Sequence, residues 1–156
     1  MSRRDAIGMD ADELAAFLDG RRTLSCATLG RDGWPHLMPL WFVMRGARPP
    51  EPWAWTYAKS QKVRNLERDP RCTVQVEAGT EYGELRGMMA KAECEIVRDA
   101  DRVAALGAEL AVRYGGGSLG PGLEEAMRRQ AAKRVGLRFR LHDVATWDHR
   151  KLGGTY

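Results

Sequence analysis

Strand-like segments joined by short connections constrain the fold of this chain more than any other feature. The first two, "TLSCATLG" and "WPHLMPLWFVMR", are separated only by Arg31, Asp32 and Gly33, a hairpin turn with glycine in the left-handed position. Parallel strands would need a long crossover after each strand, so this spacing predicts an antiparallel sheet. The predicted strands cover residues 23–30, 34–45, 53–58, 71–78, 84–98 and 133–147.

Helical segments lie beside these strands. Asp10 as N-cap, Glu13 three residues later and Gly20 as a stop signal predict a helix over residues 10–18. Pro35 and Pro39 have no backbone N–H, so we expect an edge or bulge in the second strand. The order of elements predicts an α+β fold, an antiparallel sheet closed into a small barrel, as one domain over residues 1–156. The other predicted helices cover residues 60–68, 99–115 and 123–132.

Composition narrows the function classes. No apolar run reaches the ~20 residues of a membrane-spanning helix, and the N-terminus has no apolar signal-peptide core. We therefore expect a cytoplasmic protein with no membrane partner. The three cysteines and three histidines are scattered without metal-ligand spacing, so no metal is expected. A net charge of +4 favours an anionic partner.

The segment "TYAKSQKVRNLERDP" places cations at the start of a predicted helix. Lys59, Lys62 and Arg64 all precede its first acid, although the positive end of a helix dipole favours acids. With Ser60 as N-cap, exposed first-turn amides and converging cations would form a phosphate site. The alternative is that these are ordinary solvated surface cations.

Aromatic residues are concentrated on the second and third strands, as Trp34, Trp41, Trp53, Trp55 and Tyr57. They suit either a barrel core and dimer contact or a slot for a planar ring beside the phosphate. A basic barrel with an aromatic face could also bind single-stranded nucleic acid. The spacing supports no catalytic acid–base pair, so no catalytic residue is assigned, and a bound cofactor would have to supply the chemistry.

Four stretches together resemble the pyridoxamine 5'-phosphate oxidase-like, FMN-binding split β-barrel superfamily, and in particular its small flavin- or deazaflavin (F420)-dependent oxidoreductases. These are "LSCATLGRDGWPHLMPLWF", "TYAKSQKVRNLERDPRCTVQV", "LRGMMAKAECEIV" and "VATWDHRKLGGTY". The resemblance covers roughly residues 10–156, and the strand followed by S-x-K-x-R-N-L is its most specific part.

The resemblance implies a homodimer of split barrels with a cofactor at the subunit interface. It places the cofactor phosphate at the basic helix start, the ring against the second and third strands, and further contacts on later strands and the tail. The implied cofactor-binding residues are Lys59, Lys62, Arg64, Asn65, Met38, Pro39, Leu40, Trp55, Thr56, Tyr57, Gln75, Arg86, Trp147 and Lys151.

The chain also departs from the superfamily's namesake enzymes. It ends in "KLGGTY", without the arginine-containing motif that binds pyridoxamine phosphate in them, so oxidation of vitamin B6 is not expected. Either F420 or FMN suits a basic pocket. The acidic tail of F420 and an excess of Arg, 20 of the 25 cations, place F420 ahead.

The resulting hypothesis is an oxidoreductase that moves a hydride between F420 or FMN and a small organic substrate, whose pocket loops 46–52 and 115–122 would shape. One alternative is a flavin- or haem-binding module without substrate turnover, with His36 or His149 as iron ligand. Another, less favoured, is a nucleic-acid binder, which predicts salt-dependent retention of oligonucleotides; with the cofactor hypothesis, no nucleic-acid partner is expected.

Overall fold

Six antiparallel strands close into a barrel in a computed structural model that describes residues 6–46, 50–116 and 120–153. Around the barrel the strand order is β1-β2-β3-β6-β5-β4, which confirms the predicted α+β antiparallel barrel. The strands are β1 (Thr23–Leu29), β2 (Pro35–Arg45), β3 (Glu51–Tyr57), β4 (Arg71–Ala78), β5 (Arg86–Val97) and β6 (Arg134–Asp148). The helices are α1 (Ala11–Asp19), α2 (Gln61–Arg68), α3 (Ala100–Gly115) and α4 (Leu123–Ala131).

Two apolar cores follow from the alternation of side chains along the strands. The barrel interior holds side chains such as Leu24, Phe42 and Phe139 and is joined by Phe17 of α1. The second core lies between the outer face of the barrel and α3, where Trp53 packs in one cluster with apolar residues of the helix. The fold therefore needs α3 to cover the outside of β3.

The barrel is open at two places because neighbouring strands separate. The pairing of β2 with β3 ends at Phe42 and Ala54, and residues 35–41 of β2 pair with β1 alone. The pairing of β3 with β6 ends at Trp53 and Arg138, beyond which β6 pairs only with β5. The open stretch of β2 contains both prolines, which agrees with the predicted edge.

Helix α1 begins at the predicted N-cap. The Asp10 carboxylate accepts hydrogen bonds from the backbone N–H groups of Asp12 and Glu13, and Glu13 accepts one from the backbone N–H of Asp10. The helix is tied to β6 by the backbone N–H of Met9, which donates to Thr146 Oγ1 at 2.8 Å. This segment covers part of the open β6 edge, which limits unwanted strand pairing.

The sequence misplaced only the limits of some elements. Strand β3 begins at Glu51, two residues before the predicted start, because Glu51 and Pro52 pair with the end of β2. The polar tail is not irregular throughout, since His149–Leu152 forms a 3-10 turn. The two loops expected to shape a substrate pocket lie partly outside the described residues. Among the described helices, none combines the length and the apolar character needed to cross a bilayer.

Candidate functional site: the start of α2 and the open edge of β2

The start of α2 has polar groups that the protein leaves without partners. Ser60 occupies the N-cap position with extended backbone, but its side chain makes no capping hydrogen bond. Its buried Oγ has no hydrogen-bond partner among the described residues. The first turn of α2 contains no acid. Because helix starts and unpaired hydroxyl groups both favour an anion, this end of α2 is chemically suited to one.

Lys62 is the unusual member of the cation group. Its side chain is buried, with the residue only 8% exposed, and its Nζ donates to Thr56 Oγ1 at 3.2 Å. No acid of the described chain forms an ion pair with it, and burial holds the pKa of its ammonium below the usual value. Buried charges are normally paired, so an ammonium in this position is suited to an anionic ligand.

The three cations do not converge on one point within a single chain. Lys59 and Arg64 are both exposed, and Arg64 lies two residues from Lys62 on α2. Residues two apart on a helix do not share a face, so Lys62 turns toward the barrel and Arg64 toward solvent. This corrects the expectation of converging cations, while the proposed phosphate contacts of Lys59 and Arg64 stay predictions.

Asn65 fastens α2 to the barrel. It is 0% exposed, its Nδ2 donates to Thr28 Oγ1 at 3.0 Å, and its Oδ1 accepts from Gln61 Nε2 at 2.9 Å. Thr28 in turn donates to the backbone carbonyl of His36 on β2, at 3.4 Å. With no exposed atom in this chain, Asn65 supports the helix and offers no surface to a phosphate. The sequence did not reveal this role, because Thr28 meets Asn65 only in the folded barrel.

The ring residues predicted on β2 lie beside the opening between β2 and β3. Met38 and Pro39 are exposed, whereas Leu40 is buried in the barrel core. The unpaired side of β2 at residues 35–41 leaves an open strand edge beside the end of β3. A planar group with hydrogen-bonding edges can lie against such backbone, because an open edge has free N–H and C=O groups.

On β3 the aromatic residues have different surroundings. Trp53 is buried beneath α3, and the ring of Trp55 lies against Gly107 of that helix. These two rings are therefore packing residues and do not form an exposed slot. Tyr57 is 57% exposed, and the Arg134 guanidinium lies 4.3 Å from its ring centroid. Thr56 points inward to Lys62, so the end of β3 joins the ring edge to the buried ammonium.

Gln75 shares the outer surface of the β2-β1-β4 sheet with the ring edge. Its strand partner on β1 is Ser25, whose partner on β2 is Pro39, so the three residues form one row across three strands. The Gln75 amide donates to Glu77 Oε2 at 3.2 Å and is half-buried. The predicted ring contact by Gln75 is therefore possible only for a ligand on the outer face of this sheet.

Arg86 and Trp147 lie at the far end of β6 from Lys62. Thr56 pairs with Val135 near the start of β6, whereas Trp147 pairs with Gly87 near its end. At about 3.3 Å per residue, roughly 40 Å of strand separates the two places. The Arg86 guanidinium lies over the ring of Phe17, 5.6 Å from its centroid. One chain does not bring these residues to the start of α2.

Lys151 also lies at this far end. Its Nζ donates to the backbone carbonyl of Gly8 and to Glu13 Oε2, each at 2.6 Å. The hydrogen bond from Lys151 lowers the pKa of the Glu13 carboxyl. Within this chain, the Lys151 side chain thus holds the N-terminal segment, and a cofactor contact would have to be made from this position.

Replacing Lys151 by alanine is expected to lower the melting temperature only slightly, because its ion pair with Glu13 is solvent-accessible. If the tail approaches a cofactor, cofactor-dependent turnover falls several-fold in the same variant. Thermal unfolding and steady-state rates measure the two effects, with the exposed Lys133→Ala as control. A large loss of melting temperature with unchanged turnover would mark the tail as purely structural.

The histidines and acids do not assemble into a metal centre. Across residues 6–46, 50–116 and 120–153, no group of three or more His, Cys, Asp or Glu side chains is placed to hold an ion. His149 Nδ1 lies 3.0 Å from the backbone carbonyl of Tyr82, and its ring packs against the Tyr82 ring. The cysteine thiols are buried and unpaired, and burial raises the pKa of Cys94.

Known proteins share both the sequence pattern and the fold. Residues 11–148 match the profile of the pyridoxamine 5'-phosphate oxidase family. The crystal structure of the conserved hypothetical protein Rv2991 from Mycobacterium tuberculosis is 36% identical, covers 100% of this chain and 95% of its own, and gives a TM-score of 0.90. No curated protein sequence matches the chain.

More distant structures share the fold alone. An F420 reductase is 24% identical, with a TM-score of 0.63 over 83% of this chain and 94% of its own. HutZ, described as the heme storage protein from Vibrio cholerae, is 18% identical, with a TM-score of 0.67 over 88% of this chain and 96% of its own. The same barrel therefore occurs in proteins described by different cofactors.

Proposed function

This chain belongs to the pyridoxamine 5'-phosphate oxidase family, and on that premise we propose that it is an oxidoreductase that uses F420 or FMN. The observation that carries the proposal is the buried, acid-free environment of Lys62 beside the unpartnered Ser60 Oγ at the start of α2. A phosphate supplies the anion that both groups lack, so the residues present fit a phosphate-bearing cofactor.

In this proposal the chain's own residues bind and orient. Lys62 and the first amides of α2 hold the phosphate, and Asn65 keeps that helix fixed against β1. The open backbone edge near Met38 and Pro39 positions the ring. The bound flavin or deazaflavin supplies the hydride chemistry, exchanging a hydride with a small, mostly apolar organic substrate. No side chain is assigned as a proton donor or acceptor.

A homodimer completes the proposed site. Arg86, Trp147 and Lys151 are separated from Lys62 along β6, so only a second copy can bring such residues to the same cofactor. The outer surface beside the ring edge is apolar and exposed, with Leu37 65% and Trp41 59% exposed. Exposed apolar patches of this kind mark contact surfaces, which favours an interface between two chains here.

F420 stays ahead of FMN in this proposal. The excess of arginine suits the acidic tail of F420, and an F420 reductase has the same fold. Both cofactors have a tricyclic ring and a phosphate, so the start of α2 does not distinguish them.

The test begins with the visible spectrum of the purified protein, followed by fluorescence titrations with F420, FMN and riboflavin. We expect saturable micromolar binding of F420 or FMN and much weaker binding of riboflavin, which has the ring without the phosphate. A Soret band would favour the haem-binding alternative. Failure of both phosphate-bearing cofactors to bind would overturn the proposal.

A further inference from the structure

A cavity of about 520 Å³ lies beneath α1, at the opening between β3 and β6. It is separate from the start of α2, because none of its lining residues belongs to that helix. Its apolar wall includes Leu14 and Leu18 of α1, Met44 of β2, Met88 of β5, and Leu141 and Val144 of β6.

The charges at this cavity are acidic. Asp12 and Glu51 are the charged residues of its lining, and no cation lines it. Glu51 Oε2 already accepts a hydrogen bond from Arg138 Nε at 2.6 Å. The cavity therefore disfavours an anion such as a phosphate, and its wall makes few demands for hydrogen bonds.

The helix above the cavity is held at both of its ends. At its C-terminal end, the Arg113 guanidinium donates to the backbone carbonyls of Leu18 at 3.1 Å, Asp19 at 2.8 Å and Arg21 at 2.7 Å. At the other end, Met9 is bonded to Thr146 of β6. Since both ends are fixed, α1 spans the opening and is kept from collapsing into it.

We propose that this cavity binds a neutral, apolar small molecule, and this second site does not depend on the proposed cofactor. Water in an apolar cavity lacks hydrogen-bond partners, so such cavities favour apolar occupants. Its size falls within the range of about 300–1,000 Å³ that is usual for small-molecule sites. The lining and the two acids together define the class of ligand.

The test uses N-phenyl-1-naphthylamine, a neutral dye whose fluorescence rises in apolar surroundings, with the full-length protein. Ala15 lines the cavity and its neighbour Ala16 does not, while both are exposed positions of α1. Ala15→Phe therefore fills the cavity, and Ala16→Phe makes the same chemical change outside it. Ala11→Phe, also at a lining position, is a second filling variant should Ala15→Phe fail to fold by circular dichroism.

We expect saturable dye binding to the wild type and to Ala16→Phe, and at least tenfold weaker binding to the folded filling variants. Equal affinity in Ala15→Phe and Ala16→Phe would place the dye elsewhere and overturn the proposal. Absence of saturable binding to the wild type would overturn it as well. The cofactor titrations are separate measurements, so failure of one proposal is distinguishable from failure of the other.

Discussion

Replacing Lys62 by methionine is expected to make the cofactor-free protein more stable and its affinity for FMN or F420 roughly 10- to 100-fold weaker. The affinity loss follows because a hydrogen bond to a charged group contributes about 1.5–3 kcal/mol. The stability gain, about 1 kcal/mol or more, follows because Lys62 is buried without an acid, and an apolar side chain of similar length removes that penalty. Thermal unfolding and fluorescence titration measure the two effects.

The pH dependence of stability gives an independent reading of the same residue. Burial places the folded pKa of Lys62 below its ordinary value of 10.5, so the unfolded chain binds the proton more tightly. The penalty is present below the folded pKa and is relieved as pH rises from there toward 10.5. We expect wild-type stability to gain on Lys62→Met stability over that window.

Matched controls separate a phosphate contact from general damage. Riboflavin should bind Lys62→Met as it binds the wild type, because it has no phosphate. Lys59→Met changes an exposed cation at the same turn and should weaken FMN binding less. Lys62→Glu, which sets a like charge against the phosphate, should bind FMN least of all. Unchanged FMN affinity in both Lys62 variants would remove the phosphate from α2.

Replacing Leu37 by glutamate is expected to convert a homodimer to monomers and to abolish cofactor binding in the same variant. Leu37 is 65% exposed on the open part of β2, next to the predicted ring edge. A charge at the centre of an apolar interface costs several kcal/mol, and loss of roughly 2 kcal/mol or more at one residue is typical of interface hot spots. Light scattering after size-exclusion chromatography measures the oligomeric state.

Val144→Glu is the control, because it changes another exposed aliphatic residue on a strand, 46% exposed on β6. We expect it to remain dimeric. A wild type that is monomeric at micromolar concentration would contradict the dimer, and so would a Leu37→Glu protein that stays dimeric. If Leu37→Glu is monomeric yet binds FMN normally, the cofactor site lies within one chain.

Short-range patterns allowed the elements to be predicted from the sequence. The hairpin at Arg31–Gly33 and the Asp10–Glu13 capping box depend on residues a few positions apart, and both elements begin and end close to the predicted positions. The boundary of β3 was harder, since Glu51 joins the strand only through its pairing with Arg45.

The basic helix start shows how far such patterns reach. The letters of "KSQKVRN" identified a helix N-terminus with cations and no acid, a local property of the chain. They treated Lys62 and Arg64 alike, although helical geometry turns one inward and the other outward. The buried Lys62–Thr56 contact and the Asn65–Thr28 contact join residues from different elements, so no local spacing announced them.

By itself, the sequence determined the class of the fold, its family and the position of the anion-suited helix start, because turns, caps and strand periodicity are written in neighbouring residues. Only the tertiary structure decided which aromatics are covered by α3, where the barrel opens and what lies beneath α1. Those features depend on how strands diverge and helices pack across the barrel. Burial, which gives Lys62 its unusual chemistry, is a property of the assembled fold.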